Sequence, residues 1–306
     1  MKKKFIAALL CIGCLTTAFT IGITLKNDNT TNNLPLVDIE FPLYAGEYDE
    51  KIQFIESEHI DTTNIQNTDS FYTINKIDET IIRKLVSKSG MNFNKKTSTN
   101  GDISQWSNDD QSIIQYGDTS VKYKDASVKK SEFHVSDAEC KELSDALLSE
   151  LDCENLVYSG IGYDTVTDLQ TQAETIIAKT VYYNRVLNGK TIEGTSSAYV
   201  TIAGDGEIET FFCGMREIEK EYEVEDENII SVEEAIQNCK EFKGYIEMPE
   251  DTVRVEITKV ETAYWEDSSP NSRNNTIQPI YKITGKAYNE NGECSDFTAL
   301  ESALQK

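Results

Sequence analysis

The sequence predicts an α+β protein built from tandem units, each a helix followed by an antiparallel sheet, behind an N-terminal membrane or signal segment. Three observations support this prediction. An uncharged, mostly apolar run opens the chain directly after three lysines. Capping-box sequences, Ser-Asp-Ala-Glu at 136–139 and Ser-Val-Glu-Glu at 231–234, each precede an apolar stripe of helical spacing. Stretches rich in β-branched and aromatic residues, interrupted by Gly and Asn, follow each expected helix.

The first segment, residues 1–25, is expected to be a signal anchor or a signal peptide. Residues 5–25 carry no charge, and at about 1.5 Å rise per residue they are long enough to cross the roughly 30 Å hydrocarbon core. Three alternatives stay open: the segment is retained as an anchor, is cleaved after Ala18, or is cleaved before a lipidated Cys14. Each alternative places residues 27–306 outside the cytoplasm, because the three lysines favour the cytoplasmic side.

A polar tether over 26–34 leads into an expected N-terminal α+β domain over 35–130. In this domain a helix is predicted from Asn75, with Asp78 three residues later and Gly90 at its end. The strands expected after it lie near 101–106, 112–116 and 120–123.

A second unit is expected over 131–228 and begins with the helix capped by Ser136. Cys140, Leu143, Leu147 and Leu151 form its apolar stripe. Three strands are predicted after it, over 176–187, 197–203 and 207–212. The first of them runs into the dipeptide Asn-Gly at 188–189, which is the strongest short hairpin signal.

A third unit is expected over 229–306 and begins with the helix capped by Ser231. Its strands are predicted over 252–265, 277–288 and 294–300, and a polar loop separates the first two at 266–276.

The charge of the chain excludes several classes of partner. Lys and Arg total 29 and Asp and Glu total 53, so the formal net charge is -24. Binding of nucleic acid needs a basic face, and binding to an anionic membrane surface needs basic residues as well. Neither function is expected, and the predicted contact with a membrane is made only by residues 5–25.

The sequence contains no recognisable catalytic, cofactor or metal-binding constellation, so we expect a protein that is not an enzyme. Gly160-Ile161-Gly162 is too short for a dinucleotide-binding loop. The two histidines, His59 and His134, each stand alone in a polar or boundary stretch and are expected at the surface or in a capping position. Among the cysteines after residue 25, Cys140 and Cys239 fall on apolar helix faces and are expected in the core.

One arrangement of acidic residues is more specific than the rest. Glutamates occupy every second position over 217–225, and on a strand they would all point to one face. We interpret this stripe either as a solvated face or as a docking stripe for a basic partner or weakly bound Ca²⁺. Its members are Glu217, Glu219, Glu221, Glu223 and Glu225.

The second and third units resemble PepSY-type domains and, more closely, the YycH/YycI family of membrane-tethered extracytoplasmic regulators. The resemblance rests on Tyr-Tyr-Asn-Arg-Val-Leu-Asn-Gly-Lys-Thr-Ile-Glu-Gly at 182–194, Ala-Tyr-Val-Thr-Ile at 198–202 and Gly-Asp-Gly-Glu-Ile-Glu at 204–209. It continues in the helix at 231–242 and in Ile-Gln-Pro-Ile-Tyr-Lys-Ile at 277–283. It implies that 131–228 and 229–306 are two PepSY-like units.

The resemblance also implies a function. Members of this family are not enzymes, and they modulate a sensor histidine kinase through contacts in and above the membrane. We therefore expect a non-enzymatic regulatory or binding protein that is tethered to the cell envelope and acts through protein–protein contacts. The alternative is a propeptide-like inhibitor or chaperone that acts in trans on a secreted protease. Neither function needs a cofactor.

Overall fold

The fold is dominated by β-structure. The computed structural model describes residues 52–65, 70–100, 102–194, 196–224, 228–266 and 275–305. Of these residues 56% lie in strands and 14% in helices. The predicted α+β class, with tandem helix-plus-antiparallel-sheet units, is therefore wrong. The described part holds a large mixed sheet with three helices.

The helices are α1 (Glu79–Lys88), α2 (Asp137–Glu150) and α3 (Val232–Lys240). The strands are β1 (Gln53–Asp61), β2 (Ser70–Ile77), β3 (Ser98–Asn100), β4 (Ile103–Ser107), β5 (Gln111–Tyr116), β6 (Ser120–Asp125), β7 (Leu156–Thr167), β8 (Glu174–Leu187), β9 (Lys190–Gly194), β10 (Ser197–Ala203), β11 (Glu207–Cys213), β12 (Arg216–Glu223), β13 (Tyr245–Glu247), β14 (Thr252–Glu266), β15 (Thr276–Asn289) and β16 (Cys294–Ser302).

Strand pairing connects parts of the chain that lie far apart in sequence. The main path of the sheet runs β12-β2-β15-β14-β9-β8-β10-β11-β6-β5-β4-β3. Two pairs in the sheet, β1 with β14 and β9 with β14, are parallel. Strand β2 pairs with β12 and β15, and β6 pairs with β11. Strands of each expected unit therefore pair with strands of the other expected units.

The tandem prediction fails because local patterning shows that a strand exists but not which strand it pairs with. Alternation and turn residues located β8, β10, β11, β14, β15 and β16 to within two residues. Their partners depend on contacts between distant segments, which no short window contains. The described residues all belong to one compact unit, and the boundaries at 130/131 and 228/229 stay predictions.

The helices cover the sheet unequally. Helices α1 and α2 bury their apolar faces in one cluster together with side chains of β4, β5, β6, β8, β10 and β11. Helix α3 packs in a second cluster with side chains of β14, β15 and β16. Two helices thus share one sheet region, instead of each covering a sheet of its own.

The helix starts predicted from capping sequences are largely confirmed. The Ser136 side chain accepts from the Glu139 N–H and the Glu139 side chain bonds back, which completes the capping box of α2. The Ser231 side chain accepts from the Glu234 N–H at the start of α3. Helix α1 begins three residues later than predicted, because Asp78 itself is its N-cap and accepts from the Thr80 N–H.

The hairpin predicted at 188–189 is confirmed and leads to an unpredicted pairing. Asn188 and Gly189 have φ values of 50° and 77°, as a two-residue hairpin turn requires. Strand β9 leaves β8 after two pairs of residues and then runs parallel to the end of β14. Gly194, at φ 96°, lies so close to β14 that an added Cβ would be 2.0 Å from the Glu266 carbonyl oxygen.

The Gly194→Ala variant is expected to lower the free energy of unfolding by about 2–4 kcal/mol, since it combines a backbone clash with an unfavourable φ. Gly160→Ala is the matched control, because a Cβ there meets nothing within 4 Å. The control should be neutral or stabilising by up to about 1 kcal/mol. Urea unfolding of both variants measures the difference, and similar stabilities would contradict the close β9–β14 approach.

Candidate interaction surface

The predicted acidic stripe lies on β12, at one end of the main path of the sheet. Its register with β2 shifts on both sides of Ile218, so the regular alternation of the sequence is interrupted there. Four of its glutamates are exposed, and Glu225 lies outside the described residues. Those four are Glu217, Glu219, Glu221 and Glu223.

One member of the stripe has a structural role. Glu221 accepts hydrogen bonds from the Ser70 hydroxyl at 2.7 Å and from the Tyr72 hydroxyl at 2.9 Å. These two bonds lower the pKa of the Glu221 carboxyl. Glu221 therefore helps to hold β12 against β2. The use of the remaining stripe for docking stays a prediction.

A buried ion pair lies at the start of the same strand. Arg216 Nε donates to Glu266 Oε1 at 2.7 Å, and the two side chains are 4% and 0% exposed. Arg216 Nη1 also donates to Asn275 Oδ1 at 3.1 Å. Arg185 Nη1, on β8, donates to the Arg216 carbonyl oxygen at 2.8 Å. Strands β8, β12 and β14, and Asn275 just before β15, are thus tied together by hydrogen bonds of Arg216 and Arg185.

Burial shifts the ionisation of this cluster. Removal from water raises the pKa of Glu266, although the charge and hydrogen bond of Arg216 oppose the shift. The same effect lowers the pKa of Arg185. Since each group relies on its neighbours to remain charged in the core, we assign the cluster a structural role.

The most exposed apolar surface of the described chain follows β7. This strand pairs with β8 on one side, and no other described strand pairs with its opposite edge. Several of its apolar side chains, and one in the following turn, face solvent. Their exposed fractions are 44% for Val157, 45% for Tyr158, 44% for Tyr163, 53% for Val166 and 88% for Leu169.

Strand β7 lacks most of the devices that protect edge strands from pairing. Such edges are usually short, or carry lysine, proline or bulges. β7 has twelve residues and contains no lysine or proline. Its register with β8 shifts twice: Ser159 is an extra residue on β7, and between Asp164 and Thr165 the extra residue, Ile177, lies on β8. Residues 160–167 thus contain no extra residue of their own. This run offers unpaired backbone groups to an incoming strand.

The two faces of β7 differ. Cross-strand partners share a face of the sheet, so Tyr158, Ile161 and Tyr163 lie on the side of α2, opposite Tyr183, Val181 and Lys179. On the other face, Gly160, Gly162 and Asp164 lie opposite Tyr182, Thr180 and Ala178. The α2 side is therefore aromatic, whereas the other face has a glycine floor and one carboxylate between the exposed side chains of Val157 and Val166, which lie opposite Asn184 and Thr175.

Helix α2 holds the tyrosines of β7 in place. The Tyr163 hydroxyl donates to Asp137 Oδ2 at 2.8 Å, and Lys179 Nζ donates to Asp137 Oδ1 at 2.7 Å. The hydrogen bond from Lys179 and, to a smaller extent, the one from Tyr163 lower the pKa of Asp137. The bond to Asp137 raises the pKa of Tyr163. The Tyr158 ring packs edge-on to the Tyr183 ring, 6.3 Å away between centroids.

Sequence reasoning missed β7. Its region contains the Gly-Ile-Gly tripeptide at 160–162, which we considered only as part of a nucleotide-binding loop. Two signals could have located the strand: its enrichment in Tyr, Val and Ile, and the glycines, which in a strand often mark the close approach of another backbone.

The cysteines and histidines lie where they were expected, as far as they are described. Cys140 and Cys239 are buried in the core, which confirms their prediction. His59 and His134 are exposed, as predicted. The lipidation candidate Cys14 lies outside the described residues. Within the described ranges, no group of three or more His, Cys, Asp or Glu side chains is placed to hold a metal ion.

No described helix combines the length and apolarity needed to span a membrane. Residues 5–25, on which the membrane prediction rests, lie outside the described part of the chain.

Comparisons with known proteins leave the family open. No protein-family model matches the sequence, and no curated protein matches it significantly. Among solved structures, the chain is similar to the Bacillus megaterium YpeB C-terminal domain, with a TM-score of 0.32 and 11% sequence identity. The match covers 77% of this chain and 100% of that chain. A likeness this weak supports no conclusion, so the resemblance to the YycH/YycI family stays a prediction.

Replacing Arg216 by Met is expected to lower the free energy of unfolding by about 3–5 kcal/mol, because it leaves the buried Glu266 carboxylate without its cation. The loss should depend on pH. Without Arg216 the pKa of Glu266 in the folded state rises further above its unfolded value. The native state then favours the protonated acid, and the loss grows as pH increases above about 4.5.

Urea unfolding at pH 5 and pH 8 tests this expectation. Arg254→Met is the matched control, since Arg254 is only half-buried and lies over the Tyr288 ring. A loss for Arg216→Met that equals that of the control, or that is larger at pH 5, would count against the assigned role of the ion pair.

Proposed function

We propose that this chain is a non-enzymatic binding protein that acts outside the cytoplasm through protein–protein contacts, and that the free edge of β7 is its contact surface. The observation that carries the proposal is this long, exposed and apolar edge strand. An extended segment of a partner can add to such an edge as a further strand. Main-chain hydrogen bonds then supply affinity and side-chain contacts supply specificity.

The location outside the cytoplasm rests on the sequence of residues 1–25. Retention as an anchor, cleavage after Ala18 and lipidation at Cys14 would all export residues 27–306. An anchored or lipidated protein would keep β7 tethered to the cell envelope. A cleaved protein would carry it into the medium.

The resemblance noted in the sequence suggests which partner would be engaged. A membrane sensor kinase is the first choice, in which case binding at β7 would regulate signalling. A secreted protease is the alternative, in which case the chain would act as an inhibitor or chaperone in trans. For either partner, we propose that an extended segment pairs with the edge strand.

Site-specific photo-cross-linking of the full-length protein in its native cells tests the proposal. A photoreactive phenylalanine analogue replaces Val166 on β7 in one variant and Val253 on β14 in the control. Both valines are exposed, at 53% and 40%. We expect a covalent adduct with a second protein from position 166 and none from position 253.

Mass spectrometry of the adduct then identifies the partner. A sensor kinase supports the regulatory function, and a protease supports the inhibitor or chaperone. No adduct at position 166, or equal adducts at both positions, would contradict the β7 contact surface. Accumulation of the chain in the cytoplasm would contradict the proposed location.

A further inference from the structure

We infer that the free edge of β7 receives a basic extended segment, in which Lys or Arg residues alternate with apolar residues. This inference rests on the proposed function, because it specifies the chemistry of the segment that β7 would bind. The carrying observations are the unpaired edge, the two unlike faces of β7 and the charge around the strand.

The sequence around β7 contains acids and no bases. Residues 142–178 include eight Asp or Glu and no Lys or Arg. The eight are Glu142, Asp145, Glu150, Asp152, Glu154, Asp164, Asp168 and Glu174. A segment that approaches this edge therefore meets a negative potential from the same part of the chain that offers the backbone groups.

Half of these acids already have a cation or lie on α2 away from the edge. Asp145 pairs with Lys141, Glu150 with Lys88 and Asp152 with Lys84. Glu142 is part of α2. The other four, Glu154, Asp164, Asp168 and Glu174, are exposed and lie on β7, just before it, or in its hairpin with β8.

No described cation pairs with Glu154, Asp168 or Glu174, and Asp164 shares its one cation with Glu209. The cation nearest Asp164 is Lys130, whose Nζ lies 3.5 Å from Oδ2 and closer, at 3.2 Å, to Glu209. Asp168 accepts from the backbone N–H groups of Gln170 and Thr171, which keep its pKa low and its charge in place. No described Lys or Arg forms an ion pair with Glu154 or Glu174.

The two faces of β7 determine which positions of the bound segment are apolar and which are basic. On the side of α2, an apolar side chain of the bound strand would pack beside the rings of Tyr158 and Tyr163. On the opposite face, Gly160 and Gly162 offer no side chains, and a Cβ at Gly160 would meet nothing within 4 Å. A long Lys or Arg side chain could lie across this floor and reach Asp164.

The acidic stripe of β12 is the competing surface, and it fits this segment less well. Lys220 lies within the stripe, Glu221 is bonded to Ser70 and Tyr72, and two register shifts interrupt the strand. No side chain of β12 is among the large exposed apolar residues. The stripe of β12 therefore complements the charge of a basic segment but offers no exposed apolar side chains to the apolar residues of that segment.

Binding of synthetic peptides to the full-length protein in neutral detergent micelles tests the inference. The probe has about ten residues, alternating Lys and Val with blocked ends, which is enough to cover 160–167. A Glu/Val peptide and a Lys/Ser peptide of equal length are compared with it by fluorescence anisotropy. We expect the Lys/Val peptide to bind most tightly. Its affinity should fall as salt is raised from about 0.05 to 0.5 M.

Two matched triple variants then locate the binding. The first neutralises the edge by Glu154→Gln, Asp164→Asn and Glu174→Gln, and the second neutralises β12 by Glu217→Gln, Glu219→Gln and Glu223→Gln. Both change the net charge by the same amount. The edge variant should weaken binding about tenfold and the β12 variant less than about twofold. Equal losses, or a larger loss from the β12 variant, would overturn the inference.

A further variant separates failure of this inference from failure of the proposed function. Val157→Thr with Val166→Thr removes exposed methyl groups from β7 but retains β-branched residues. If the Glu/Val and Lys/Val peptides bind equally and this variant weakens both, docking at the edge stands and the basic partner is wrong. If no peptide binds, the basic partner is likewise wrong, and cross-linking at position 166 decides on the edge by itself.

Discussion

The ion pair between Arg216 and Glu266 is the constraint on which the arrangement of the sheet depends. Two charges removed from water stabilise each other only when their geometry is good, and here the 2.7 Å contact supplies it, while Glu266 Oε2 stays buried without a hydrogen-bond partner among the described residues. That requirement fixes where β12 begins, where β14 ends and how Arg185 of β8 lies beside them. The close approach of Gly194 to the Glu266 carbonyl oxygen then aligns β9 with β14 at the same point.

Strand β8 transmits this constraint to the proposed binding edge. One end of β8 is held at the buried cluster through Arg185, and its middle is bonded to α2 through Tyr183 and Lys179. Because β7 pairs with β8 over nearly its whole length, its edge is presented by a strand fixed at several points. An edge ordered in advance lowers the entropy lost when a partner segment binds, which increases affinity without added contacts.

The sequence allowed accurate prediction where the determining interactions are local. The Ser136 capping box, the helix at Ser231 and the hairpin at Asn188 depend on residues within a few positions of one another. The fold class could not be predicted, because it depends on pairings such as β1 with β14 and β2 with β12. The same holds for the ion pair, whose partners lie 50 residues apart. The β7 edge escaped prediction for a related reason: a strand becomes an edge only through the absence of a partner on one side.

The acidity of the chain resolves a difficulty that such an edge creates. A long apolar edge strand invites pairing with a second copy of itself, which leads to dimers or aggregates. Two copies of this protein that meet at β7 would bring Asp164, Asp168 and their neighbours together, and each whole chain carries a net charge of -24. Like charges at the point of contact oppose self-pairing, whereas the same charges attract a basic segment. One feature therefore opposes pairing of the edge with its own copies and favours the basic segment that we propose as its partner, so the edge can stay exposed without lysines or prolines of its own.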